Sequence, residues 1–219
     1  MSYMEKLVKS TDGLVSRYIN RRISIRITKA IVKYRIPLTP NQVSIISFVL
    51  GLISALLYIL GMPIPAAIMV QVSSIIDGVD GELARLLGLT SRVGAFFDAM
   101  LDRFVDIAII ASLTYYIHVS SSINTELLII ISMLALSGDL LVSYIHARGE
   151  ASLGVHPSRI GVIPNFSSRD VRLFIIFVGS LIGLYIETLT VVAILSYAYV
   201  LSKFVDSLLN YKEVRHHAE

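Results

Sequence analysis

Residues 77–102 read DGVDGELARLLGLTSRVGAFFDAMLD, placing four aspartates at regular intervals inside an otherwise apolar chain. An acid at the centre of a membrane-spanning helix costs roughly 2.5–3.5 kcal/mol on insertion scales, so four together demand a compensating partner. Asp77 and Asp80 are an i, i+3 pair and Asp98 and Asp102 an i, i+4 pair, so each pair lines one helix face. Two such helices facing each other present four hard carboxylate ligands to one or two divalent cations. The cation makes the buried charge tolerable and is the component best suited to chemistry.

The surrounding composition is that of a membrane protein. Hydrophobic residues make up 55% of the 219-residue chain, charged residues 16%, and mean hydropathy is +0.74. The length supports one domain. The absence of Cys excludes a disulfide framework, a thiolate metal site and a Cys nucleophile. The first apolar span begins near Val43, behind a long basic segment, which argues against a cleaved secretory signal peptide. An all-α integral membrane protein is therefore expected.

Six apolar stretches approach the roughly 20 residues that a bilayer requires, at 41–61, 63–84, 92–117, 125–147, 170–184 and 187–208. Gly61-Met62-Pro63, Gly88 with Thr90-Ser91, Ser120–Ser122 with Asn124, and the long connection 148–169 separate them. Lys and Arg cluster before Thr39, in the second and fourth connections and near the C-terminus, while the first, third and fifth connections contain none. Six spans with both termini cytoplasmic put every basic connection on one side. Arg103, inside a span beside Asp102 and three residues from Asp106, reads as a structural ion pair.

This topology also sets the depth of the acids. Asp77 lies about 12 Å along its helix from Arg85, and Asp98 about 9 Å from Arg92, at 1.5 Å per residue. Both pairs then sit just below the cytoplasmic surface, within reach of a water-soluble substrate. Gly81 and Ala84 continue the Asp77–Asp80 face, and Gly94 precedes Asp98 by one turn. Such small residues either admit a bulky phosphate-bearing ligand to the backbone or allow close helix packing. Arg85 either grips phosphate oxygens bidentately or anchors the helix at the interface.

Asp77, Asp80, Gly81, Ala84, Arg85, Gly94, Asp98 and Asp102 fit D-x2-D-G-x2-A-R-x8-G-x3-D-x3-D without a gap. The motif resembles that of the CDP-alcohol phosphotransferase family. Thr39-Pro40-Asn41-Gln42-Val43-Ser44 is similar to the stretch opening that family's first helix, and Ser143-Tyr144 with Ala147-Arg148 is similar to the end of its fourth. Gly149 stands where the family has Ala. The resemblance implies a six-helix membrane enzyme, a homodimer, which transfers a substituted phosphoryl group from a CDP-linked donor to an alcohol and releases CMP. It further implies that Asp77, Asp80, Asp98 and Asp102 hold Mg²⁺ or Mn²⁺ and that Asp102 doubles as general base. Asn41, Asp77, Gly81, Ala84, Arg85 and Gly94 would bind CDP. Metal at the pyrophosphate neutralises charge as CMP leaves, and catalysis would be mainly positioning and electrostatics.

A second polar group is assigned to the acceptor. Asp139, Ser143 and His146 share a face of the fourth predicted helix, with Arg148 at its end. Arg169 and Arg172 lie one turn apart at the start of the fifth, suited to a phosphate. The resemblance implies that members using inositol phosphate bind it in these regions. Arg169 and Arg172 are alternatively interface anchors, and Asp139 alternatively a structural ion-pair partner.

Residues 4–35 alternate basic and apolar side chains and read as an amphipathic helix on anionic headgroups. KSTDGLVSRYINRRIS and SSRDVRLF also resemble the di-myo-inositol phosphate phosphate synthase branch. That resemblance implies CDP-inositol as donor, inositol 1-phosphate as acceptor, and a fused or separate cytidylyltransferase, joining near Lys9–Gly13. The expected organisation is a juxtamembrane segment at 1–38, the transferase domain at 39–209 and a tail at 210–219, in the plasma membrane with the site facing the cytoplasm. Membrane lipid is an expected partner and nucleic acid is not. A phospholipid synthase of the same family, using CDP-diacylglycerol or CDP-archaeol with inositol phosphate or glycerol phosphate, remains open. A cation transporter is disfavoured by the lack of a repeat and of broken helices at corresponding positions. An intramembrane aspartyl protease needs only two acids, in a G-x-G-D setting, and a membrane anchor needs none.

Overall fold

Four capping devices place the helices around the acidic motif. In the computed structural model, which describes residues 13–161 and 163–216, a π-helical turn at Ser16–Asn20 leads into α1 (Arg21–Lys33). Helix α2 (Pro40–Ile59) opens on a capping box: Gln42 donates its amide N–H to the Thr39 hydroxyl at 3.3 Å, and Thr39 donates its own to Gln42 Oε1 at 2.8 Å. Pro63 starts α3 (Pro63–Leu87), which ends at Gly88 in the left-handed region at φ 66°. Ser91 then caps α4 (Arg92–Ser120) by accepting the Gly94 amide at 2.9 Å. The chain thus reverses over a few residues and folds the two acid pairs toward each other.

Helix α5 (Thr125–Leu153) is capped by Asn124, which accepts the Leu127 amide at 3.0 Å, and ends at Gly154 in the left-handed region. A 3₁₀ turn at Pro157–Arg159 leads to α6 (Arg169–Leu181), and Gly183 at φ 78° separates α6 from α7 (Tyr185–His216). All six predicted apolar stretches coincide with helices. Four of these, Pro40–Ile59, Pro63–Leu87, Thr125–Leu153 and Tyr185–Asn210, are long and apolar enough to cross a membrane. Helix α4 has the length, but Asp98, Asp102, Arg103 and Asp106 interrupt its apolar character. Helix α6 has 13 residues, about 20 Å at 1.5 Å per residue, against the roughly 30 Å of a hydrocarbon core.

Helix α2 packs on α3 and α4, α5 packs on α7, and α6 lies across α3. The main core, including Tyr58, Ile109, Leu113, Leu128, Ile176 and Leu189, joins α2, α4, α5, α6 and α7. Tyr58 and Ser180 are hydrogen-bonded within it at 2.6 Å. Burying a tyrosine hydroxyl without a partner would cost free energy, so this bond also sets how α6 meets α2.

Helix α1 departs from a purely lipid-facing reading. Its inner face, Ser24, Ile25, Thr28 and Ile31, is buried, while Arg22, Ile23 and Arg26 remain exposed. The inner face packs on α3, with Ile31, Val43, Val79 and Leu83 forming a small second core. The part of the predicted 4–35 helix before Gly13, and the Lys9–Asp12 part of the expected junction, lie outside the described residues.

Candidate metal centre

Asp77 and Asp80 stand near the end of α3, and Asp98 and Asp102 near the start of α4. One carboxylate oxygen each from Asp77, Asp98 and Asp102 lie within 4.8 Å of one another. Octahedral Mg²⁺ with bonds of about 2.1 Å spaces its ligand oxygens roughly 3–4.2 Å apart, so a small contraction brings this group onto one ion. Asp80 is within hydrogen-bonding reach of Asp98. The Ser44 hydroxyl and the Gly81 amide both donate to Asp80, fixing its carboxylate from α2 and from its own helix. The donor set is entirely oxygen and anionic, which fits Mg²⁺ or Mn²⁺.

The four aspartates stand where two cavities adjoin. One, of about 520 Å³, is lined by Asn41, Gly81, Ala84, Arg85 and Gly94, with Asp80 and Asp98 in its wall. A Cβ on Gly94 would stand 3.0 Å from Ser91 Oγ and 3.4 Å from Asn41 Oδ1, so glycine lets the start of α2 close against α4. The other cavity, of about 230 Å³, takes in Asp77 and Asp102. Asp80, Gly81, Arg85 and Asp98 line both. Five of the six residues expected around CDP therefore share one cavity, and Asp77 faces the neighbouring one.

The residues assigned to the acceptor do not stay together. Arg169 enters the acidic group itself: its Nη1 lies 3.2 Å from Asp77 and 2.9 Å from Asp102, and its Nε 2.9 Å from Asp106. Arg103 also pairs with Asp106, at 2.9 Å, as its spacing suggested. Arg172 faces elsewhere. It is 1% exposed, donates from Nε to Asp139 at 2.5 Å, and donates from Nη1 to the Ser167 carbonyl. Asp139 thus has the structural partner weighed for it, and the two arginines one turn apart do not converge on one phosphate.

His146 Nε2 is hydrogen-bonded to the Tyr199 hydroxyl at 2.8 Å, and its ring lies 4.4 Å from that of His156. Arg148 is exposed and borders an apolar groove between α5 and α7. Among the described residues, Asp139, Ser143, His146, Arg148 and Arg172 are all outside the lining of the acidic cavity.

Two residues there, Glu82 and Arg21, had drawn no assignment from the sequence, and Asp106 had been read only as a partner for Arg103. Asp106 holds Arg169 against Asp77 and Asp102. Glu82, fully buried, accepts from Arg21 Nη1 at 2.7 Å, from Ser24 at 2.5 Å and from Thr28 at 2.6 Å. Arg21 lines the acidic cavity from α1. Glu82 sits at an unspecified position inside the motif, and an acid buried at that depth was the available signal.

Comparison with known proteins agrees with this arrangement. The CDP-alcohol phosphatidyltransferase family model matches residues 37–205. A "Bifunctional IPC transferase and DIPP synthase" of Thermococcus kodakarensis is 45% identical over 138 residues, covering 63% of this chain and 30% of that protein. The chain thus spans under a third of that relative's length. An archaetidylinositol phosphate synthase of Pyrococcus horikoshii is 33% identical over 160 residues, covering 73% of this chain and 78% of that protein. Crystal structures of Mycobacterium tuberculosis phosphatidylinositol phosphate synthase, one with CDP-DAG bound and one with manganese and citrate, share the fold. Both give a TM-score of 0.71 at 25% identity and cover 86% of this chain, and 95% and 90% of theirs.

Proposed function

The chain belongs to the CDP-alcohol phosphatidyltransferase family, and from that membership and the paired cavities we propose that it joins CDP-inositol to inositol 1-phosphate, releasing CMP. The single observation that carries the reading is the meeting of two cavities on four aspartates, with the motif's small residues, Arg85 and Asn41 around one of them. CDP occupies the larger cavity. Gly81, Ala84 and Gly94 give it room against the helix backbones, and Arg85 pairs with its phosphates. The acceptor occupies the smaller cavity.

Asp77, Asp80, Asp98 and Asp102 hold the divalent ion, which when bound neutralises the pyrophosphate and the charge that grows on departing CMP. Asp102 takes the proton of the acceptor hydroxyl. The acceptor oxygen then forms its bond to the donor's proximal phosphorus as the bond from that phosphorus to the CMP oxygen breaks in line. Arg169 steadies Asp102 through Oδ1 at 2.9 Å, and Oδ2, 3.9 Å from Arg103, is the oxygen that accepts the proton. The proton then passes to solvent, and the product keeps the acceptor's own phosphate.

In this reading the chain crosses the plasma membrane six times as a homodimer, with the site and both termini cytoplasmic, residues 39–209 forming the transferase domain and 1–38 its juxtamembrane segment. Helices α4 and α6 complete the six crossings, joined at their charged starts by Arg169 of α6, which pairs with Asp102 of α4 and Asp77 of α3. A cytidylyltransferase, fused or separate, supplies the activated inositol. A phospholipid synthase is the second reading, favoured by the archaetidylinositol phosphate synthase relative and by the CDP-DAG-bound structural relative.

Incubating purified protein in detergent with radiolabelled CDP-inositol, inositol 1-phosphate and Mg²⁺ separates the two. A labelled product that stays in the aqueous phase without added lipid supports the first. Failure with CDP-inositol, together with an organic-soluble product from a CDP-activated lipid, selects the second.

A further inference from the structure

We propose that residues 13–20 form a strap that walls the smaller cavity off from the bilayer between α3 and α6, restricting the enzyme to donors without lipid tails. The proposal rests on the reaction reading above and adds the element that chooses between a soluble and a lipid-linked donor. Helices α3, α4 and α6 supply three walls of that cavity, through Asp77, Asp102 and Arg169 among others. Ser16, Asn20, Arg21 and Ser24 supply the fourth. The strap is bonded to both neighbours. Asn20 donates to Ser74 of α3 at 3.0 Å and accepts from Gln71 at 2.8 Å. Asp170 of α6 accepts the Ser16 backbone amide, closing the gap from the other side.

The strap fits its place closely. A Cβ on Gly13 would stand 1.8 Å from Ser168 Oγ and 2.9 Å from Asp170 Oδ1, so only glycine lets the chain pass the start of α6. The Gly13 carbonyl accepts the Arg17 amide at 3.0 Å, and the π-helical turn Ser16–Asn20, a rare element concentrated at functional sites, follows. Its two faces differ in character. Ser16 and Asn20 line the cavity, while Leu14, Tyr18 and Ile19 are exposed on the outside together with Arg17. Gln71 and Ser74 lie well inside α3, so the strap meets that helix within its apolar span rather than beyond its end. An apolar outer face with one long cationic side chain suits the boundary between hydrocarbon and headgroups.

Size and direction give the strap its consequence. CDP fills the larger cavity, so the group it carries projects from the aspartates into the smaller one. At about 230 Å³ that cavity is below the size that ordinarily encloses a drug-sized ligand, so two acyl chains have to leave it for hydrocarbon. Their way out between α3 and α6 runs through the strap. Discrimination of this kind obstructs the competitor instead of gripping the preferred substrate. The stretches that carry the resemblance to the di-myo-inositol phosphate phosphate synthase branch, KSTDGLVSRYINRRIS and SSRDVRLF, are also the two that meet here, through Ser16 and Asp170.

The test uses the full chain in detergent with Mg²⁺. Hydrogen exchange reports on the amides of residues 14–20, and isothermal titration measures binding of CDP and of short-chain CDP-dioctanoylglycerol. The unmutated protein is compared with Asp170→Ala, Asp170→Asn and Gly13→Val, and thermal unfolding is followed in parallel. Losing a hydrogen bond to a charged group shifts the closed-to-open ratio of the strap about 10- to 100-fold. In Asp170→Ala the amides of 14–20 should exchange faster by about that factor, while those of 21–33 keep their rates. CDP-dioctanoylglycerol should bind about tenfold or more tightly to Asp170→Ala and Gly13→Val, with CDP changed less than about twofold. Asp170→Asn keeps an acceptor oxygen and should stay close to the unmutated protein.

Binding of CDP-dioctanoylglycerol by the unmutated protein as tight as that of CDP would overturn the proposal. Faster exchange of the strap with no gain in CDP-dioctanoylglycerol binding would overturn it as well, since the strap would then open without acting as a seal. Unchanged exchange in both Asp170→Ala and Gly13→Val would remove the latch itself. Exclusion of the lipid donor, relieved in the variants but without CMP release from CDP-inositol, would leave the strap standing and refute the donor reading instead.

Discussion

The two cavities that meet on the aspartates are assembled in opposite ways. The larger is built almost wholly from residues 39–98, with α2, α3 and α4 joined by short connections whose Thr39, Gly88 and Ser91 caps set the turns. The smaller takes its lining from the N-terminal segment, α3, α4 and the start of α6, so Ser16 and Asp170 meet across most of the chain. Local assembly leaves a motif with fixed spacing. Assembly from distant elements leaves isolated polar residues whose partners no spacing reveals.

The largest effect should come where the cavities join. Alanine at Asp77, Asp80, Asp98 or Asp102 removes a ligand from a shared ion, and a loss of several kcal/mol corresponds to about 10³-fold or more in CMP release. Scintillation counting of CMP from labelled donor, with Mn²⁺ binding followed by electron paramagnetic resonance, checks it. Ordinary turnover by any folded variant, or by the unmutated protein in excess chelator, would mean the cavities do not share a metal.

Asp102→Asn should separate chemistry from binding. An amide retains a coordinating oxygen but cannot take the acceptor proton, so kcat should fall by about 10²–10⁴. Donor affinity, measured by CDP titration, should change only a few fold. Parallel losses in both would reduce Asp102 to a ligand and leave the proton to another group.

A third test contrasts the two arginines of α6. Arg172→Ala strands Asp139 in the core, and breaking a buried pair costs about 3–5 kcal/mol of stability. Arg172→Met/Asp139→Leu should recover most of the lost thermal stability and bind inositol 1-phosphate like the unmutated protein. Arg169→Gln should instead weaken that binding with a smaller change in unfolding temperature. Acceptor affinity lost in the Arg172→Met/Asp139→Leu variant would return Arg172 to the binding site.

The same contrast explains how much was legible beforehand. Helix positions followed from apolar runs and from turn residues, because caps such as Ser91 and Asn124 act on amides three residues away. The acid pairs and the lining of the larger cavity were legible because helical periodicity puts Asp77 beside Asp80 and Gly81 beside Arg85. Arg169 and Arg172 looked equivalent in sequence, and only packing across α6 sends one to Asp102 and the other to Asp139. Glu82 and Arg21 are 61 residues apart, beyond any periodic signal. Helix α1 was read from its basic outer face, while its inner Arg21 and Ser24 line the smaller cavity.

The smallest expected effect tests the larger cavity alone. In Gly94→Ala the new methyl would stand 3.0 Å from Ser91 Oγ and 3.4 Å from Asn41 Oδ1. Helical glycine tolerates alanine well in backbone terms, so the cost comes from these two contacts. Ser91 caps α4 and Asn41 borders the larger cavity, so relief of the crowding tilts the start of α2 away from α4. Overpacking of this kind costs about 1–3 kcal/mol when neighbours cannot give, and here the exposed Asn41 and Ser91 can. The donor KM should therefore rise only about three- to tenfold, corresponding to the lower end of that range. The KM for inositol 1-phosphate should stay constant, because Gly94, Asn41 and Ser91 do not line the smaller cavity. Equal rises in both constants would show that the cavities move as one body and that their division into donor and acceptor sides is wrong.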